Sequence, residues 1–166
     1  SFTIVKGDAD KADLKSAVNN AKKVVESNYT KASYNVFSQA ISGAETVLNN
    51  KKAPKSEIEN AIKALDTAKS SLVEKANISN AKISKIKTQT YNGKNIQPNV
   101  TVKNGSKTLT KGSDYTVKYS NNKNIGTATV TVTGIGDYQS AKATTFTITP
   151  AKANATVKSR KAKTAN

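Results

Sequence analysis

The chain has 166 residues, room for one ordinary domain or two small ones, and carries 27 Lys and Arg against 11 Asp and Glu, a net charge of +16. It contains no His, Cys, Met or Trp, so the commonest general base, the thiolate nucleophile and the soft metal ligands are all missing. Composition therefore argues against an enzyme, predicts no cofactor and no bound metal, and makes acidic molecules the expected partners.

Only 36% of the residues are apolar and 5% aromatic, which predicts thin cores. No apolar run approaches the roughly 18 residues needed to span a bilayer, so membrane insertion is not expected. Ser1 to Lys6 is neither a basic leader nor long enough for a signal peptide, and the sequence reads as a segment of a longer chain.

From Asp8 to Ala76 apolar residues recur at spacings of three and four. Leu14, Ala17, Val18, Ala21, Val24 and Val25 make a first stripe; Phe37, Ala40, Ile41, Ala44, Val47 and Leu48 a second; Ile58, Ala61, Ile62, Leu65, Ala68 and Leu72 a third. Three amphipathic helices are predicted. Asp10 suits the cap of a helix opening at Lys11, Thr30 that of one opening at Lys31, and Pro54 a first helical turn. The short separators 27–29 and 49–52 imply antiparallel neighbours, with Phe37, Leu48 and Leu65 as core anchors.

After Ala76 the pattern becomes alternation: Val100 and Val102; Tyr115, Val117 and Tyr119; Ala128, Val130 and Val132; Phe146 and Ile148. Asn92-Gly93, Asn104-Gly105, Lys111-Gly112, residues 120–124 and Gly134-Ile135-Gly136 supply the turns between them. The predicted architecture is an antiparallel three-helix bundle followed by a small antiparallel β-sandwich, all-α then all-β. A short, semi-rigid junction joins them, because neither Gly nor Pro interrupts Asn77-Ile78.

Charge divides unevenly. Residues 1–77 hold twelve basic and nine acidic side chains, net +3, whereas residues 78–166 hold fifteen and two, net +13. Lys103, Lys107, Lys111 and Lys118 lie on or beside the hairpin at Asn104-Gly105 and are expected to project from one solvated face; Lys158, Arg160 and Lys161 belong to a basic tail. With one Arg and few aromatics, this is a diffuse charge layer suited to anionic polymers and not to reading nucleic acid. The alternative is that lysine here only confers solubility.

Catalytic options are few. Asp114 and Asp137, the acids of the β half, sit where short carboxylates bond local backbone N–H groups. Asp8, Asp10 and Asp13 crowd a helix start, where the dipole favours them. A Lys–Asn isopeptide crosslink would need both partners in the core beside a protonated carboxyl group, and the spacing singles out no buried Lys. Tyr29, Tyr34, Tyr91 and Tyr138 are candidates for stacking on sugar rings, although packing accounts for each equally well.

Two family resemblances arise from these residues. The order Ala9-Asp10-Lys11, Leu14, Ala21, Tyr29-Thr30, Ser33, Phe37, Ala40, Ala44, Val47-Leu48, Glu57, Ala61, Leu65, Ala68 and Leu72 resembles the FIVAR module, a three-helix bundle of Gram-positive extracellular proteins; Pro54 and Tyr34 depart from its pattern. Residues 78–149 are similar to the Ig-like repeats of Firmicute surface proteins. The matching pieces are Tyr91 to Pro98, Gly112-Ser113-Asp114-Tyr115, Asn124-Ile125-Gly126-Thr127-Ala128, and Gly136-Asp137-Tyr138.

These resemblances imply an exported, cell-wall-associated protein. Phe2-Thr3-Ile4 echoes Phe146-Thr147-Ile148, and Ile78 with Ala81-Lys82 is echoed by Ile148 with Ala151-Lys152. The expected organisation is a residual strand at 1–6, the helical module at 7–76, the Ig-like sandwich at 77–150, and a basic tail or next repeat at 151–166. The expected function is a non-catalytic stalk or adhesion segment. Its expected partners are neighbouring repeats and an anionic wall polymer such as teichoic acid, or a host glycan or mucin. The second reading is an accessory region of a secreted carbohydrate-active enzyme.

Overall fold

A computed structural model describes residues 6–152. Of the expected leading strand at 1–6, residues 1–5 lie outside the described residues and Lys6 opens a helix instead; of the expected tail at 151–166, residues 153–166 lie outside them.

Helices α1 (Lys6–Ala21), α2 (Lys31–Asn49) and α3 (Lys55–Ser70) form the first half. Leu14, Val18, Phe37, Ala44, Ile58, Leu65 and their neighbours make one core, and Tyr34 meets Phe37 edge to face, with ring centroids 6.0 Å apart. The largest fully buried side chains here are Phe37, Leu14 and Ile58. Leu48, expected as an anchor, is only partly buried, because it falls in the last turn of α2, where fewer facing residues remain to cover it.

Three helix boundaries differ from expectation. The first helix opens at Lys6 and not at Lys11, so Asp10 is no cap; it faces α3, where its Oδ1 accepts a hydrogen bond from Lys55 Nζ at 3.3 Å. Helix α1 stops at Ala21, where hydrogen bonds shorten to the three-residue type (Lys23 N–H to Asn20 O, Val24 N–H to Ala21 O), leaving Val25 56% exposed. Pro54 is the N-cap of α3, with its carbonyl accepting from Glu57 and Ile58. Thr30 does stand at the N-cap of α2, but its hydroxyl pairs with Ser33 Oγ at 2.9 Å and not with a free backbone N–H.

The second half contains strands β1 (Ala76–Asn77), β2 (Lys82–Ile83), β3 (Gln89–Thr90), β4 (Val102–Asn104), β5 (Lys107–Thr108), β6 (Tyr115–Ser120), β7 (Gly126–Gly134), β8 (Tyr138–Gln139) and β9 (Ala141–Thr149). They form a four-stranded sheet ordered β3-β9-β7-β6, a three-stranded sheet ordered β2-β4-β5, and the pair β1-β8. Val102 and Leu109 share a core with Tyr115, Val132 and Tyr138, so the two larger sheets pack their apolar faces together; Ile96, Ala128, Val130, Phe146 and Ile148 extend that core. Positive φ falls at a glycine in four of the predicted turns, at Gly93, Gly105, Gly112 and Gly136, and at Asn121 in the turn over 120–124, which contains no glycine.

The expected purely antiparallel sandwich needs correction, because β1 runs parallel to β8 and β3 parallel to β9. Both segments reach their partners after long connections, and only hairpins force an antiparallel return. Among the described residues no polar or charged residue is buried, so no Lys, Asn and carboxyl group meet in the core as an isopeptide crosslink would require.

In each half the chain passes in at one pole and out at the other. The first turns of α1 lie against the α2–α3 loop, with Lys11 Nζ donating to Asn50 O at 2.6 Å, whereas the end of α3 lies at the opposite end of the bundle, where Thr30 N–H donates to Val73 O at 2.8 Å. In the β half the chain enters at β1 beside β8; β9 then runs nine residues, about 30 Å, to leave beside β3.

Candidate polyanion-facing surface and inter-module junction

Register decides where each lysine points. In β4 and β5, Lys103 pairs with Thr108 and Asn104 with Lys107; directly paired residues project from the same side of a sheet. Val102 is buried, so Asn104 and Lys107 lie on the core side of the hairpin tip and Lys103 on the outer side. Lys107 bends over the ring of Tyr138, with its Nζ 5.1 Å from the ring centroid, a cation–π contact. Tyr138 raises the Lys107 ammonium above its usual value, by hydrogen bonding first and by charge second, with Asp114 and Asp137 adding to it. Lys118 projects from the outer face of the other sheet, where its partner is Thr131, and Lys111 lies in the loop whose Gly112 N–H donates to Tyr115 O.

The four lysines are all exposed but do not share one face. Alternation within a single strand indicates which residues share a side of that strand, but not which sheet the strand joins. Lys158, Arg160 and Lys161 lie outside the described residues. Lys82, absent from the predicted set, is the direct cross-strand partner of Lys103. Its signal in the sequence, a Lys preceding Ile83 in a two-residue strand, was too short to read.

Every ion pair among the described residues belongs to the helical half: Lys22 with Glu45, and Lys55 with Asp10 and Glu59. Asp10 and Glu59 raise the Lys55 ammonium above its usual value, Asp10 being the larger influence. Asp114 is used structurally, its Oδ2 accepting from Thr110 N–H at 2.8 Å, while the Asp137 side chain makes no hydrogen bond among the described residues. No group of three acidic side chains gathers as a metal would need, again among the described residues. Of the tyrosines proposed for stacking, Tyr138 is 8% exposed under Lys107 and Tyr34 packs on Phe37, leaving Tyr91 as the most open.

The junction is hydrogen-bonded on both sides. Toward the helices, Lys75 N–H donates to Asn28 O at 2.9 Å, Val73 N–H to Ser33 Oγ at 3.0 Å, and Tyr29 bridges Glu74. Toward the sheets, Ala76 N–H donates to Asp137 O at 2.9 Å, Ile78 N–H to Gln139 O at 3.1 Å, and Gln139 Nε2 to Lys75 O at 3.0 Å. An open cleft of about 560 Å³ lies alongside, lined by Val25, Glu26, Tyr29, Lys31, Lys75 and Gly136 among others. It holds no activated nucleophile and no paired acid and base.

The helical half can be assigned. Residues 10–73 match the FIVAR domain. FIVAR domains occur in cell-surface and carbohydrate-active proteins, and no helix among the described residues is long and apolar enough to cross a membrane. Comparison with curated proteins and with solved structures finds no match.

Proposed function

We propose that the chain is a non-catalytic spacer within an exported Gram-positive surface protein, with the β half built as an Ig-like module that faces anionic wall polymers. The observation that supports this is the polarity of the two halves. Each takes the chain in at one pole and releases it at the other, and the strand between them is bonded to both, the geometry that lets modules follow one another along a stalk. The uncompensated lysines of the β half then form the surface offered to polyanions by multiple weak, screened contacts.

Because the chain has no Cys, single cysteines at Lys52, in the α2–α3 loop, and at Lys123, in the β6–β7 loop, give clean spin-label sites. Sixteen helical residues and a nine-residue strand end to end predict one narrow distance above roughly 45 Å. A distance below roughly 30 Å, or a broad distribution, removes the spacer reading. For the partner, binding to purified walls should weaken steeply with salt and fall when the teichoic acid is stripped; binding that ignores salt removes the polyanion reading.

A further inference from the structure

In the three-stranded sheet one row of side chains runs across all three strands: Lys82 of β2 faces Lys103 of β4, and Lys103 faces Thr108 of β5. Direct partners have Cβ atoms about 4.5–5.5 Å apart on a common side. Ile83 and Val102 point into the core, so Lys82, Lys103 and Thr108 point away from it, and all three are exposed. The neighbouring positions bring hydroxyls and not carboxylates: Ser84 N–H donates to Thr101 O at 2.8 Å, and Thr101 N–H to Ser84 Oγ at 3.0 Å.

Like charges directly opposite each other destabilise a sheet. Here none of the compensation seen in the helical half is present, since among the described residues no carboxylate lies within 4.0 Å of either ammonium. Two flexible ammonium groups with three donors each, flanked by a Thr hydroxyl, match an anion that offers several oxygens in a tetrahedron better than the flat pair of a carboxylate.

We propose that Lys82, Lys103 and Thr108 form a seat for one phosphate group of an extended phosphodiester polymer, held by the two ammonium groups and the hydroxyl. The seat rests on the polyanion-facing reading above and narrows it to one site and one chemical class. Nucleic acid is disfavoured as the polymer, because the row contains no aromatic ring and no Arg to engage a base.

The test uses the full chain, inorganic tripolyphosphate as a small probe, inorganic phosphate for comparison, and poly(glycerol phosphate) as the polymer. Lys82→Gln and Lys103→Gln should each relieve the repulsion and raise the melting midpoint by about 1–3 °C in phosphate-free buffer. Each should also weaken tripolyphosphate binding about tenfold, with the double variant little worse than either single one. Lys118→Gln, on the other sheet, should change binding less than about twofold. Poly(glycerol phosphate) should bind more tightly than inorganic phosphate.

The seat is overturned if Lys118→Gln loses as much affinity as Lys82→Gln, if the two seat variants keep full affinity, or if single-stranded DNA of equal charge binds more tightly than poly(glycerol phosphate). Salt-sensitive wall binding that survives in both seat variants removes the seat and leaves the diffuse surface. Tripolyphosphate binding at Lys82 and Lys103 with no wall binding by the unaltered chain leaves the seat and removes the broader reading.

Discussion

The helical half and the β half solve the same problem, a shortage of apolar residues, in different ways. The helices gather a few large side chains, Leu14, Phe37 and Ile58, among alanines, and pair Lys22 and Lys55 with carboxylates within the bundle. The β half relies on long ladders, eight paired positions between β7 and β9 and six between β6 and β7, and leaves its lysines without carboxylate partners among the described residues. Charge that is not needed to hold the fold is available to something outside it. The comparison predicts two separable cores, and the strongest way to break it is to damage one and watch the other.

Truncating Phe37 to Ala should cost the helical half about 3–5 kcal/mol, and Ile148→Ala should cost the β half about 2–5 kcal/mol. Urea titrations read by helical circular dichroism and by the amide signals of β7 should show each variant moving one transition only. If both transitions move together in either variant, the halves form one cooperative unit and the comparison fails.

A smaller effect is expected at Gly136, which has φ of +62° and where an added Cβ would lie 2.9 Å from the Ser113 carbonyl oxygen. Gly136→Ala should cost the β half about 1–3 kcal/mol, measured in the same titration, because both the left-handed backbone and the close approach exclude a side chain. Should it unfold the helical half as well, the strain would be passing through the junction.

Alkaline pH separates the halves by a different route. Burial raises the Tyr115 and Tyr119 phenols above their usual 10.0, Tyr119 also through Tyr115. The folded state holds these protons more tightly than the unfolded chain, so their contribution is intact below pH 10.0 and is lost as pH rises through the raised folded values. The β half should therefore lose stability steeply above about pH 10 in a thermal-melt series. The helical half should lose less, since its Lys55 contribution, which follows the same sign, belongs to an exposed and screened pair. Tyr119→Phe should flatten the alkaline limb while costing about 0.5–1.5 kcal/mol at neutral pH, the loss of its 2.6 Å hydrogen bond to Pro98 O.

What the sequence revealed and what it hid follow the same division. Spacings of three and four identified all three helices, because a helix writes its buried face within its own residues; Phe37 and Leu65 were legible as core for that reason. Helix ends were less legible: nothing local told Lys6 from Lys11 as a start, and Asp10 gained a tertiary role opposite Lys55. In the β half, alternation marked β6, β7 and β9, but the two-residue strands left no period to read, and they are what decide the parallel pairings and the facing of Lys82 and Lys103. A site that depends on register between distant strands exists only once the strands are paired.

The smallest expected effect tests the junction between the halves. Gln139 belongs to β8, yet its side chain donates to the Lys75 carbonyl, whose own amide is bonded to Asn28 in the helical half. Gln139→Ala removes one half-buried hydrogen bond and should lower the β half's stability by only about 0.5–1.5 kcal/mol. Its larger consequence should be orientational, because Ala76 N–H to Asp137 O and Ile78 N–H to Gln139 O remain but the segment just before them loses its tether to the sheet. In the doubly spin-labelled chain the Lys52 to Lys123 distance should keep its mean and broaden. An unchanged width would assign rigidity to the main-chain pairing of β1 with β8 alone, and a collapse to short distances would mean that the Gln139 contact, not the paired strand, keeps the two poles apart.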